Sequence, residues 1–389
     1  MSVRATTAVA TALLAVAGCR PKLPELPHQM LPEPAAAEVE TVLYLVGDAG
    51  YATIERSPLI RVLRADVERW AGALRRDTAV VVLYLGDNIY PLGLRESGHA
   101  SFAADSAYLQ SQVHVLAGPN ARRWGVGYFM AGNHDWGEAR GPEGVVRLQN
   151  QERFLERRRA EGIPVSLEPE AGEPGPALLD IGARLRLLIY DTAWWMLATD
   201  QSRKLRVFQQ TEDALRSARN RTVVFASHHP YASASSHGGH VEFWKTVGVR
   251  FLLARSGAIL QDLNSVPYRE FTGSLREAFR AGPPFIWAGG HDHTLQVIRN
   301  DELDEPTWAL VSGSASKVTS VGHYKGMEYR RAAPGYMKLY FKRGGSVDLF
   351  VVAAPGEEQL SCAGDGAELE ACMVRAAGAF EHTFGKRLR

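Results

Sequence analysis

Apolar runs of five to seven residues recur from Thr41 onward, each closed by a Gly-Asp, Gly-Asn or His-rich turn, and longer amphipathic stretches separate them. Short continuous apolar runs bounded by turn residues predict buried strands, and the 3.6-residue periodicity between them predicts helices packed on a sheet. Residues 41–46, 79–85, 127–130, 185–190, 222–226 and 285–287 fit the strand pattern, and 58–75, 102–116, 145–159 and 207–218 fit the helical one. Strands at 308–312, 335–341 and 346–352 follow without intervening helices, as expected for a second sheet. This alternation is that of an α/β protein.

The pattern changes at both ends. Arg4 precedes a short apolar stretch, residues 6–17, that ends Val16-Ala17-Gly18-Cys19. This reads as an export signal, too short for a membrane span. Small residues just before a cysteine resemble a bacterial lipobox, which would make residues 1–19 a lipoprotein signal and Cys19 a lipid anchor at the cell envelope. An ordinary signal peptide cut near Ala17 or Gly18, releasing a periplasmic or secreted protein, is the alternative. Pro21, Pro24, Pro27, Pro32 and Pro34 then mark residues 20–40 as an extended linker. The folded domain is expected over 41–354. Pro355-Gly356 opens a Gly/Glu/Ala-rich tail, 355–389, in which Cys362 and Cys372 either close a small disulfide loop or remain free thiols.

Composition narrows the function classes. The 389 residues are 46% hydrophobic and 22% charged, with 44 Lys+Arg against 43 Asp+Glu. Near-neutral charge without a basic tract argues against nucleic acid as a partner. A chain of this length can bury roughly three quarters of its unfolded surface. A metal site, if present, is therefore free to be catalytic.

Five short motifs each follow an apolar run: Gly47-Asp48-Ala49-Gly50, Gly86-Asp87-Asn88-Ile89-Tyr90, Gly132-Asn133-His134-Asp135, Ser227-His228-His229-Pro230 and Gly290-His291-Asp292-His293. Ligands of open α/β sheets bind at the carboxyl ends of strands, where these motifs fall. Carboxylates, an amide oxygen, a phenol and several imidazoles suffice for two metal ions. Oxygen donors mixed with imidazole suit iron(III), zinc or manganese rather than thiolate-seeking metals. A single Gly-Asp turn or histidine carries little information. Their joint order is what points to a site.

The series resembles the calcineurin-like metallophosphoesterases, and within them the small, tartrate-resistant type of purple acid phosphatase, over about residues 41–293. The wider superfamily opens with Asp-x-His, whereas Gly50 follows Ala49 here and Tyr90 stands three residues after Asp87. Both changes mark the purple branch. The resemblance implies a four-layer α/β/β/α sandwich with two mixed sheets. It also implies Asp48, Tyr90 and His293 as ligands of an iron(III), Asp87 as the bridge, and Asn133, His228 and His291 as ligands of a divalent iron, zinc or manganese. Phe225 replaces a valine of the fourth motif, and Pro230 favours His228 over His229 as its ligand. His229 is then a supporting or pocket residue. His134, oriented by Asp135, is the expected proton donor, with His237 of a His-Gly pair beside it.

The implied activity is acid phosphatase: hydrolysis of small phosphate monoesters by a metal-activated hydroxide. A phosphodiesterase or nucleotide hydrolase of the same superfamily and a catalytically silent surface binding module are the alternatives. A membrane is contacted only through the lipid anchor, and oligomeric state is left open. Trp194-Trp195 either line the pocket or, as is commoner for such pairs, pack in the core. Residues 243–254 are expected to form an extra helix within the long stretch between the fourth and fifth motifs.

Overall fold

The computed structural model describes residues 30–77, 79–138, 141–238 and 261–389. The expected export signal, Cys19, the first part of the Pro-rich linker and the helix expected over 243–254 lie outside the described residues.

Two seven-stranded mixed sheets form the centre. The first holds β1 (Val39–Val46), β2 (Val80–Tyr84), β3 (Gly125–Phe129) and β4 (Val165–Leu167) in parallel, extended antiparallel beyond β1 by β12 (Gly335–Lys342), β13 (Val347–Ala353) and β14 (Glu381–Arg387). The second holds β6 (Leu185–Tyr190), β7 (Thr222–Ser227), β8 (Ile286–Gly289) and β10 (Trp308–Ser312) in parallel. Antiparallel β5 (Ala177–Ile181) closes one edge; β9 (Leu295–Arg299) and β11 (Met327–Arg331) extend the other.

Alternation along each strand assembles the layers. Leu43, Leu45, Val81 and Leu83 face inward and meet Leu187, Ile189, Val224 and Ala288 of the opposite sheet. Val42, Tyr44, Val80 and Val82 face outward onto α1 (Pro58–Leu74) and α2 (Phe102–His114). Helix α1 buries Leu59, Leu63, Val67 and Trp70 at helical spacing, each such side chain contributing about 1.5–3 kcal/mol. Ser57 caps its start by accepting from Ile60 N, and Pro58 occupies its first turn. The shorter α3 (Pro119–Trp124) and the long α4 (Pro142–Ala160) follow in the chain. Across the molecule, α5 (Thr192–Leu197), α6 (Gln201–Arg216) and α7 (Val266–Phe279) cover the second sheet, with Trp194 and Trp195 packed among Phe225, Phe271 and Trp287. Those two tryptophans are core residues. The four-layer sandwich expected from the sequence is the fold.

Both ends differ from expectation. The segment set apart as a tail carries α8 (Gly366–Gly378) and the edge strand β14, which pairs with β13 along its length. A boundary at 354 would therefore cut the first sheet. Cys362 and Cys372 are disulfide-bonded. The described end of the linker is docked rather than extended. Glu33 accepts hydrogen bonds from Lys338 Nζ (2.8 Å), Tyr340 OH (2.5 Å) and Arg69 Nη2 (3.0 Å). Lys338 is almost wholly buried on β12, and Asp66 Oδ2 is its second partner at 2.8 Å. An ammonium inside a sheet layer needs both carboxylates.

Burial alone would raise the Glu33 carboxyl, but Lys338, Tyr340 and Arg69 together lower it from 4.5 to about 2. Because the folded value is depressed, this contribution to stability is full above pH 4.5 and is lost as pH falls toward 2. Glu33→Gln should lower the urea midpoint by the equivalent of about 1–3 kcal/mol near neutrality and flatten the acid limb of the stability profile. An unchanged acid limb would show that the docked segment contributes nothing.

Candidate metal centre

Strands β1, β2 and β3 run parallel in one sheet, and β7 and β8 run parallel in the other. All five motifs follow these strands directly. The turn residues Asp48, Asp87 and His291 have φ of 61°, 53° and 65°, a left-handed conformation costly for side-chain-bearing residues. The strain concentrates where side chains must turn back over the strand ends. Gly86 enables one such turn: at φ +86°, a Cβ there would lie 2.7 Å from His228 Nδ1.

All seven sequence-predicted ligands converge, in two groups joined by Asp87. In the first, Tyr90 donates its hydroxyl to Asp48 Oδ1 (2.9 Å), and His293 Nε2 lies 3.2 Å from that hydroxyl and 3.4 Å from Asp48 Oδ1. In the second, His228 Nε2 lies 3.1 Å from Asn133 Oδ1 and 3.2 Å from His291 Nδ1. Asp87 Oδ1 is 3.4 Å from His228 Nε2, and donor atoms of Asp48, Asp87 and His228 all fall within 4.8 Å of one another. Asp48, Asp87, Asn133, His228 and His291 are buried, whereas His293 and His134 are partly exposed. Access is therefore from the His293 and His134 side.

The proton positions test whether this set suits cations. His228 donates from Nδ1 to the Leu85 carbonyl (2.8 Å), and His291 donates from Nε2 to the Gln261 carbonyl (2.9 Å). Their other nitrogens therefore present lone pairs to each other and to the oxygens of Asn133 and Asp87. Such a cluster of acceptors repels itself unless a positive charge sits among them. Backbone carbonyls fixing the tautomer of imidazoles in this way is the usual support for metal-ligating histidine. The electrostatics agree in direction. Burial lowers His228, but Asp87 and Asp48 raise it above the ordinary imidazole value, the direction in which neighbouring carboxylates favour positive charge at this point. Burial and the two aspartates hold the Tyr90 phenol well above its usual value, an ordering that a bound cation reverses.

His134 stands at the mouth. Its ring packs edge-on against Tyr90 with centroids 4.7 Å apart, and Nδ1 donates to the Pro91 carbonyl at 2.6 Å. Nε2 faces Glu138 Oε1 at 3.6 Å and Asp87 Oδ2 at 3.9 Å. The orienting partner is therefore Pro91, which corrects the role expected of Asp135. Asp135 is fully buried and turns the other way, accepting from Gly132 N (2.8 Å) and Asn88 N (3.1 Å). It braces the second and third motif turns against each other. Burial first, and Asp87 second, raise its carboxyl above the usual range.

His237 lies on the opposite side, its ring centroid 4.1 Å from that of His291, and Nδ1 is 3.0 Å from Asp262 Oδ1. His229 is fully buried, held by Thr192 Oγ1 (2.8 Å) and Gln261 Oε1 (3.0 Å), with its ring 4.2 Å from that of His291. It braces the His291 ring rather than being one of the converging donors. Three neighbours escaped the sequence: Glu138, Asp262 and Lys317, whose Nζ lies 3.4 Å from the centroid of the Tyr90 ring. Only Glu138 had an available signal, its position four residues after His134 in one turn.

No protein-family model matches the chain, and no curated protein matches it in sequence. Solved structures match it in fold. The GAP50 anchor of the inner membrane complex of Plasmodium aligns with a TM-score of 0.51 at 12% identity, over 88% of this chain and 95% of that one. Purple acid phosphatase PPD1 from yellow lupin (Lupinus luteus) seeds aligns with 0.50 at 15% identity, over 82% of this chain and 52% of that one. PhoD aligns with 0.51 at 12% identity, over 84% and 68%. The chain shares its fold with these three proteins. This chain spans about half the length of the lupin enzyme, and likeness at such identities establishes architecture alone. Among the described residues, no helix is long and apolar enough to cross a membrane.

Proposed function

We propose that the chain is a dinuclear-metal phosphatase of the purple acid type, hydrolysing small phosphate monoesters after export to the cell envelope. The observation that carries this is the facing lone pairs of His228 and His291 beside Asp87 and Asn133, together with the Asp48–Tyr90–His293 group a few ångströms away. Asp48, Tyr90 and His293 would hold an iron(III), and Asn133, His228 and His291 a divalent iron, zinc or manganese, with Asp87 shared. Such a pair, when bound, neutralises phosphoryl oxygens and lowers the pKa of water from about 15.7 toward neutrality.

The protein's own part is placement and proton delivery. With Nδ1 committed to Pro91, Nε2 is the His134 nitrogen left on the open side, from which a proton would pass to a departing alkoxide. His237, anchored to Asp262, lines the other wall. Purified protein loaded with iron should show a visible tyrosinate-to-iron band that Tyr90→Phe abolishes, two metal ions per chain, and turnover of a nitrophenyl monoester above that of the bis-nitrophenyl diester. Faster diester cleavage would favour the phosphodiesterase alternative. Full metal loading without turnover of either would favour the silent module, which the fold shared with an anchor protein also supports.

A further inference from the structure

After β10 the chain enters a segment strapped to the candidate metal centre from both sides. Ala315 N donates to the Gly47 carbonyl (3.2 Å), Ser316 Oγ to the Asp48 carbonyl (2.5 Å) and Thr319 N to the His293 carbonyl (2.9 Å). Ser316 Oγ also accepts from Tyr51 N at 3.2 Å. Between these ties stands Lys317. Its ammonium rests on the face of Tyr90, 3.4 Å from the ring centroid, with the Tyr51 ring 5.2 Å away. Lys317 is half-buried, and no carboxylate among the described residues lies within 4.0 Å of Nζ.

A lysine is ordinarily free to swing into water, so a half-buried ammonium on a pinned backbone needs a reason. Tyr90 and Tyr51 supply part of it through their negative ring faces. Asp87 and Asp48 are the carboxylates that act on the ammonium most, ahead of Glu138, and those two are the charges that the proposed cations would neutralise. With cations in place, Lys317 adds positive charge to a positive site. That arrangement is favourable only when an anion of high charge joins them.

We propose that Lys317 is a substrate-binding residue of this site, its ammonium receiving a non-bridging oxygen of a phosphoryl dianion and thereby selecting monoesters over diesters. The proposal rests on the dinuclear reading above. A monoester carries a second charge once its pKa near 6 is passed, whereas a diester remains a monoanion. An additional fixed cation therefore contributes more to binding the former.

The test uses inorganic phosphate as probe and the metal-loaded full chain as sample. By titration calorimetry, Lys317→Met should weaken phosphate binding about tenfold, with Lys317→Arg recovering part of the loss. KM for a nitrophenyl monoester should rise by a similar factor with kcat little changed, and the diester constants should move much less. Metal content and the Tyr90 band should be retained in both variants. Equal phosphate affinity, parallel losses on both esters, or loss of metal from Lys317→Met would overturn the assignment. Failure of the unaltered protein to take up metal would instead overturn the dinuclear reading beneath it.

Discussion

Asp87→Ala is expected to abolish paired metal binding, while His134→Ala leaves both ions in place and lowers kcat by about 10²–10⁴. The contrast follows from position. Asp87 lies between the two donor groups: its donor atom falls within 4.8 Å of those of Asp48 and His228, Oδ1 lies 3.4 Å from His228 Nε2 and accepts from His134 N at 3.0 Å, and Oδ2 lies 3.9 Å from the His134 ring. Its carboxyl is lowered despite complete burial, because His228 and His134 outweigh the desolvation. Losing a residue that merely supports a ligand already costs about 10–100-fold in metal affinity, so losing the proposed shared ligand should exceed that. His134, by contrast, is held by Pro91 and touches the donor set at its edge, so its removal takes away a proton source and little else. Metal analysis alongside steady-state kinetics checks both variants. Metal loss from His134→Ala matching that from Asp87→Ala would remove His134 from the catalytic role and make it structural.

The same two residues show how far the sequence was legible. Each motif is contiguous and follows a hydrophobic strand, so its place at a strand end could be read from pattern alone. Adjacency misled within the third motif. In a tight turn successive side chains diverge, so Asp135 points into the interior toward Gly132 and Asn88 while His134 points to the mouth. Pro91, which orients His134, is 43 residues away in the chain. Lys317 and Asp262 had no signal at all, since neither belongs to a motif and each is brought in by a loop whose course the sheets decide.

A comparable limit explains the missed strand β14. Its sequence, Glu-His-Thr-Phe-Gly-Lys-Arg, buries only its central three residues and has no apolar run to announce it. Pairing with β13 makes it a strand, and edge strands are commonly charged in this way. The core strands, buried on both faces, were readable because burial on both faces demands continuous hydrophobicity. Glu33 lay within a proline-rich stretch whose composition suggested an extended spacer, yet a buried lysine on β12 holds it. Composition describes a segment's own preferences; a charge waiting in a distant strand overrides them.

Gly132→Ala should disable the centre while leaving every ligand in the sequence. A Cβ at this position would fall 2.3 Å from Asp87 Oδ1, 2.5 Å from Asp87 N and 2.9 Å from His228 Cε1. None of these atoms is the loose end of a flexible chain. Asp87 is pinned by His134 N, and His228 is pinned by the Leu85 carbonyl, so the second and third motif turns must separate. Overpacking of this kind costs about 1–3 kcal/mol in a close-packed interior. The larger consequence is geometric. Displacing Asp87 moves the shared ligand relative to His228 and Asn133, and a donor set spaced a few ångströms apart does not tolerate that. The variant should therefore fold with a modestly lowered urea midpoint and bind metal poorly. Gly98→Ala serves as the control, because a Cβ there meets nothing within 4 Å, and it should match the unaltered protein in both assays. Full metal binding by Gly132→Ala would mean that the two turns are not packed as tightly as the assembled donor set requires.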